Sequence, residues 1–457
     1  MGGEATRFTR RSQGRTDSAA ALEAALASSL RAELEGARWY QGKGRELASL
    51  RLVDRLAVPG SGGAMLAIVA AGYNEGAAEE YAMALRADAT GRLHGAAGDD
   101  PVWPALARLA LEGGSLDGHH GTVEGVPGAP GKGALALQAC RPLEADQSNT
   151  SLVLDGRVVL KCYRRLRPGI HPEQELLEGL TRVGSRRAPV FHGALVYVRD
   201  ETQTALATTY TYVEGEPVGW EPAIAGLTAA LGGPAAELDR LAGEAAELGR
   251  CVGELHADLR AALGSRQATH ADASAERERA TVGVAEAIAT VTPFAAELAA
   301  LEPAARRELA GLDRLEGTPL QRIHGDLHVG QLLRGPAGVF VIDFEGDPTL
   351  RNDERRRLAS PLQDVASLLL SLDHVAAAAA RRRGFGAATA PALAWSDAAR
   401  AATLAAYAAA QPGGVAPDPA LLRALEIEKE WREVVYAARV LPEWLYAPRL
   451  VLQELLA

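Results

Sequence analysis

Asp326, Gln331 and Asp343 are the residues whose types and spacing point most directly to chemistry. They lie in the stretch 323–348, which reads IHGDLHVGQLLRGPAGVFVIDFEGDP. Two apolar, strand-like pieces at 331–333 and 339–342 flank a Gly-Pro-Ala-Gly turn, the pattern of a β-hairpin. A hairpin sets its outer ends side by side, so the three side chains should converge although 17 positions separate the two carboxylates. Convergent oxygens suit a hard divalent cation such as Mg²⁺. Phosphoryl transfer needs this set, because there the protein mainly positions groups and neutralises charge. Asp326 would accept the proton of an attacking hydroxyl, while Gln331 and Asp343 would hold Mg²⁺ against nucleotide phosphates.

The spacing H-x-D-x4-Q, then a strand and D-F-E, is a variant of the kinase pattern, with Gln for the usual Asn and DFE for DFG. The same chemistry asks for a lysine at the nucleotide. Lys161 sits in the otherwise apolar run 158–163, where an unpaired ammonium would be costly to bury. A helix follows, and its Glu175 has the order and separation of the glutamate that holds such a lysine. A strand-edge lysine reaching out to water is the alternative. No G-x-G-x-x-G covers the phosphates, so Ser148, Asn149 and Thr150 would have to supply backbone N–H groups in its place. The run containing Tyr210 and Tyr212, before Glu214-Gly215-Glu216-Pro217, is where a hinge would offer backbone groups to adenine.

Composition narrows the partners. The chain has 457 residues, enough for two or three domains, with 47% hydrophobic residues and a mean hydropathy of −0.05. A net charge of −10 argues against nucleic acid or an acidic membrane surface as partner. Cys140, Cys162 and Cys251 show neither a disulfide framework nor zinc-site spacing, which suits a reducing cytoplasm. The longest apolar stretch, 365–380, is interrupted by Asp373 and His374, so no membrane span is expected. A monomer is favoured.

The expected organisation is α+β: a disordered tail at 1–18, an N-terminal cap at 19–95, an intermediate β-rich nucleotide-binding subdomain at 96–213, and a mostly helical C-terminal lobe at 214–457. Strand-like pieces at 50–56 and 64–71 belong to the cap, and an amphipathic helix is expected near 102–111. Helical Ala/Leu-rich patterns at 235–264 and 276–315 build the C-terminal lobe, with His256 as a packed helix histidine.

Taken together these motifs resemble the maltokinases and closely related sugar kinases of the aminoglycoside-phosphotransferase-like, protein-kinase-like fold. The segment 39–45 looks like the family's cap segment, 147–151 its phosphate loop, 160–176 its lysine strand and helix, and 324–348 its catalytic and metal motifs. Asp353-Glu354-Arg355-Arg356-Arg357, Ser360-Pro361 and Asp364-Val365-Ala366 continue it. The resemblance implies a bilobal fold, ATP and Mg²⁺ as cofactors, Asp326 as base, Gln331 and Asp343 as metal ligands, and Lys161 with Glu175 at the nucleotide. Glu345 would reach a second metal or the sugar.

The acceptor is read from departures within that resemblance. Maltokinases typically carry E-L-D-K-A-V-Y-E in the C-terminal helix, where this chain has Glu426-Ile427-Glu428-Lys429-Glu430-Trp431-Arg432-Glu433. Leu369-Leu370-Ser371-Leu372-Asp373-His374 likewise replaces L-R-S-F-E-Y. On a helical projection Leu421, Leu425, Trp431, Val435 and Ala438 share an apolar arc that includes Glu428, with Glu426 and Glu433 on the polar side. Carboxylates at Glu428, Glu430 and Asp373 would hold an ammonium-bearing sugar, although a salt bridge from Glu428 to a nearby Arg is the competing reading. Trp431 or Trp444 would stack on a sugar face, and His328 is a further substrate candidate. The favoured function is therefore an ATP-dependent kinase making glucosamine 6-phosphate. Maltose 1-phosphate synthesis is the alternative, followed by an aminoglycoside phosphotransferase or a non-catalytic sugar- or nucleotide-binding module.

Overall fold

The computed structural model describes residues 29–37, 39–40, 42, 44–128, 137–143, 149–348, 350–412 and 416–457. The expected tail at 1–18 and Ser148 lie outside them. The chain divides into two compact units, residues 1–174 with 190–212 and residues 175–189 with 213–457. Residues 175–189, grouped by sequence with the intermediate subdomain, thus belong with the helical unit.

The first unit is built on two sheets. One joins β1 (Leu47–Ala57), β2 (Met65–Tyr73) and β3 (Glu79–Ala87), with β4 (Leu93–Gly95) also on β3. The other has the order β5-β6-β11-β12-β9-β8-β7, formed by β5 (Gly114–Asp117), β6 (Thr122–Pro127), β7 (Cys140–Pro142), β8 (Thr150–Leu154), β9 (Val158–Cys162), β11 (Phe191–Arg199) and β12 (Thr202–Thr211). Between β9 and β11 the short β10 (Arg165–Leu166) crosses to the first sheet and pairs antiparallel with β3. Helix α1 (Val102–Glu112) presents Val102, Trp103, Leu106 and Ala110 to a core shared with Leu56, Ile68, Leu152, Leu160 and Leu195. Burying each of the Val, Leu and Ile side chains among them contributes about 1.5–3 kcal/mol. The opposite face of the cap sheet is covered by Leu30, Leu34 and Tyr40.

Strand β9 is interior, bonded to β12 on one side and β8 on the other, with Lys161 opposite Thr208 and Ser151. This position rules out the strand-edge reading of Lys161. Helix α2 (Pro172–Arg182) follows, and the unit boundary falls within it.

The second unit is mostly helical: α3 (Trp220–Ala230), α4 (Ala235–Leu263), α5 (His270–Thr290), α6 (Ala295–Leu309), the single turn α7 (Asn352–Arg355), α8 (Leu362–Arg382), α9 (Thr389–Ala410), α10 (Pro419–Val440) and α11 (Tyr446–Leu456). Helix α8 is apolar nearly all round, and 17 of its 21 residues are buried, which makes it the unit's central element. The expected hairpin forms as β16 (Leu332–Gly335) and β17 (Gly338–Val341), with Leu332 opposite Val341. Strand β13 (Glu216–Pro217) adds to β16, while β14 (Ser265–Gln267) and β15 (Pro319–Gln321) make a separate pair leading into the segment that carries His324 and Asp326. Among the described residues no helix is long and apolar enough to cross a membrane.

Candidate active site

The segment after β15 is held by a buried carboxylate. Asp364, in the first turn of α8, accepts hydrogen bonds from the backbone N–H groups of His324 and Gly325, each at 2.8 Å. It also contacts Nε2 of His256, from α4, at 3.1 Å. Burial alone would raise the Asp364 pKa, but the His256 contacts and the backbone donors outweigh it and hold the group below the usual carboxylate range. His256 is therefore more than packing: through Asp364 it ties the segment at His324 and Gly325 to α4, and Tyr407 meets its other ring nitrogen at 3.1 Å.

His324 links this segment to the hairpin. Its Nε2 lies 3.0 Å from the carbonyl oxygen of Ile342, and its Nδ1 lies 3.3 Å from the amide N–H of Asp326. One tautomer, protonated on Nε2, satisfies both contacts. Phe344 is fully buried against the imidazole, with ring centroids 5.1 Å apart. Gly325 has φ +84°, a conformation that a residue with a Cβ rarely adopts.

The hairpin brings Gln331 and Asp343 together as its register demands, with the Gln331 amide nitrogen 3.2 Å from Asp343 Oδ2. Asp343 has φ +64°, uncommon for a non-glycine residue and a feature that clusters at functional sites. Rotating the amide by half a turn would set its oxygen beside the carboxylate, giving two hard donors. Among the described residues no group of three or more His, Cys, Asp or Glu is arranged for a metal. The expected Mg²⁺ usually takes one or two protein oxygens and completes its shell with phosphates and water, so the Gln331 and Asp343 oxygens are a sufficient protein donor set for it.

At the lysine strand the structure corrects the expected pairing. Lys161, only 4% exposed, meets Glu173 at 3.4 Å. Glu173 is itself fully buried and accepts from the Tyr163 hydroxyl at 2.8 Å. Glu175 instead binds Arg322 and Arg356, each at 2.8 Å, and those arginines hold its carboxyl below the ordinary range against the opposing effect of burial. Two residues along a helix turn the side chain through about 200°, so only one of the two glutamates can face the lysine. Thr150 accepts from Arg164 Nε at 2.8 Å, Asn149 is buried, and the Tyr212 amide N–H donates to the Arg157 carbonyl at 2.7 Å. Tyr210 stands opposite Val159 of the lysine strand.

A cavity of about 690 Å³ within the second unit opens beside Asp326. Its walls include Trp220, His328, His374 and Trp444 on one side and Lys429, Arg432 and Glu433 of α10 on another. The Trp220 ring lies 5.4 Å from His328 and meets Trp444 edge-on at 5.7 Å. Burial pushes the His328 pKa down, which keeps its ring neutral. Lys429 reaches between two carboxylates, 2.7 Å from Glu433 and 3.7 Å from Asp326 Oδ1. Burial would raise the Glu433 carboxyl, but the Lys429 ammonium outweighs it and pulls the pKa down to about 2.

Four of the six expected acceptor residues are elsewhere. Trp431 is fully buried in the helical core. Asp373 is bound by Arg400 at 2.6 Å and Ser396 at 2.5 Å. Glu428 pairs with Arg432 at 2.7 Å, the competing salt-bridge reading. Glu430 is fully buried and contacts His374 Nε2 at 2.8 Å. Burial pushes the Glu430 pKa up, while in the same pair the Glu430 charge draws the His374 pKa up against burial. Glu426, placed on the polar side by the helical projection, is buried against Arg400. The projection failed because α10 is packed on several sides, by α5, α6, α8 and α11. His328 and Trp444 do line the cavity, whereas sequence reasoning missed Lys429 and Glu433 there. Their i, i+4 spacing, an acid one turn beyond a lysine on the same helix, was the available signal.

An interior lysine with its buried glutamate, an aspartate on a braced segment and an amide–carboxylate pair at a hairpin mouth are the parts of a kinase-type phosphotransferase. The chain belongs to the phosphotransferase enzyme family, whose model matches residues 139–402. It is 35% identical over 326 residues to a glucosamine kinase of Mycolicibacterium smegmatis, covering 69% of this chain and 79% of that protein. It is 33% identical over 332 residues to a glucosamine kinase of Streptacidiphilus jiangxiensis, covering 71% and 75%. A solved glucosamine kinase in complex with glucosamine, ADP and inorganic phosphate matches with a TM-score of 0.71 and 28% identity, over 95% of this chain and 99% of that one.

Proposed function

We propose that the protein transfers the γ-phosphoryl group of ATP to a hydroxyl of glucosamine, giving glucosamine 6-phosphate. The observation that carries this reading is the cavity in which Asp326 and Glu433 lie on either side of Lys429, beneath a wall of Trp220 and Trp444. A sugar needs a base at its reacting hydroxyl and an apolar wall for its ring face. An amino sugar needs in addition a carboxylate for its ammonium, and Glu433 supplies one. The two relatives and the solved complex, all glucosamine kinases, support the same acceptor.

In this reading Asp326 takes the proton of the attacking hydroxyl. Lys161, fixed by Glu173, contacts the nucleotide phosphates, with Asn149 and Thr150 contributing from the neighbouring strand entry. Tyr210 and Tyr212 are the residues this reading assigns to the adenine. Gln331 and Asp343 would hold Mg²⁺, which when bound neutralises phosphate charge, and Glu345 stands two residues beyond Asp343 as a further oxygen donor. The test is phosphorus NMR of the product formed from ATP, Mg²⁺ and glucosamine. A sugar 6-phosphate resonance is expected; ATP left intact with glucosamine while maltose or an aminoglycoside is phosphorylated would overturn the reading.

A further inference from the structure

The amino-sugar reading leaves one feature of the cavity unexplained. Glu433, the carboxylate offered to the substrate's ammonium, already holds an ammonium, that of Lys429 at 2.7 Å. Both belong to α10, one turn apart, and the lysine side chain is only 14% exposed. Its second neighbour is Asp326 Oδ1 at 3.7 Å, too long for a hydrogen bond but within the range of a charge contact. Lys429 is thus suspended between the residue that reads the substrate and the residue that acts on it. Glu433 has no other cationic partner within ion-pair distance among the described residues.

We infer that Lys429 is an internal stand-in for the substrate's ammonium: glucosamine displaces it from Glu433, and the released ammonium closes onto Asp326. The inference rests on the amino-sugar reading and deepens it by assigning a specificity-determining and positioning role to a residue that reading leaves unused. Charge balances throughout, because one ammonium replaces another at Glu433 while a second ion pair tightens. A neutral sugar brings no cation, so it leaves Lys429 on Glu433 and Asp326 without its anchor. Discrimination against glucose would then reach the turnover step as well as binding.

Lys429→Met tests this, measured with glucosamine and with glucose at saturating ATP. Without its internal competitor Glu433 should take glucosamine more tightly, so KM for glucosamine is expected to fall several-fold. With no ammonium to close on Asp326, kcat should fall about tenfold. Lys429→Arg should recover most of kcat, and ATP affinity should stay unchanged in both variants, which separates the effect from misfolding. A KM for glucosamine that rises in Lys429→Met would make the lysine a direct sugar ligand and overturn the inference. So would a variant with wild-type KM and kcat. A wild-type protein that ignores glucosamine would instead remove the acceptor reading itself, a result visible before any variant is made.

Discussion

At the residue scale, the catalytic assignment turns on Asp326 and on what holds it. Asp326→Asn keeps the shape and removes the base, so kcat should fall by roughly 10²–10⁴, the usual worth of general base catalysis, with ADP affinity retained in a binding titration. Asp364 is a separate kind of residue, touching no substrate but bracing the backbone at His324 and Gly325. Its pKa in the folded chain lies below its unfolded value. It therefore contributes stability that is full above about pH 4, the unfolded carboxylate range, and is lost as pH falls towards the folded value. Asp364→Asn should cost on the order of 3 kcal/mol at neutral pH and flatten the acid limb of a stability-against-pH curve measured by denaturant unfolding. An unchanged acid limb would remove Asp364 from the linkage. Asp326, Gln331, Asp343 and Lys161 could be singled out in the sequence because a hairpin and an apolar strand convert spacing into position, and the structure sets Gln331 beside Asp343 and Lys161 on an interior strand. Lys429 and Glu433 could not, since their place in the cavity wall depends on which element lies opposite α10.

At the element scale, helix phase is where sequence reasoning slipped. Glu173 and Glu175 are both acidic and both near the start of α2, and order along the chain does not say which one turns towards the lysine strand. The structure gives Glu173 to Lys161 and Glu175 to two arginines. Glu173→Gln is accordingly expected to raise KM for ATP at least tenfold, while Glu175→Gln leaves it near the wild-type value and lowers stability by about 2 kcal/mol, the cost of weakening the partner of the buried Arg322 guanidinium. Steady-state kinetics with thermal unfolding on both variants reads the difference, and the reverse pattern would restore Glu175 as the nucleotide residue. Helix α10 teaches the same lesson. A single apolar arc describes a helix packed on one side, but α10 is enclosed by four helices and buries acids against basic partners, Glu426 with Arg400 and Glu430 with His374.

At the scale of the whole molecule, the α+β class and the kinase-like fold followed from the order of motifs, and family membership agrees with them. Less legible were β5 and β6, which fall in a Gly-, Asp- and Pro-rich stretch whose turn signals masked short strands. Because the nucleotide residues belong to the native fold alone, ADP with Mg²⁺ at a hundred times its Kd should stabilise the chain by about 2.7 kcal/mol, seen as a rise in Tm, and no shift would argue against a formed nucleotide site. The central claim is narrower: the cavity beside Asp326 reads an ammonium-bearing sugar. The measurement that tests it most directly is the ratio of kcat/KM for glucosamine to that for glucose, with ATP and Mg²⁺ in a coupled assay. A desolvated ammonium–carboxylate pair predicts a ratio of roughly 100 or more. A ratio near one, or higher efficiency with maltose than with glucosamine, would contradict it.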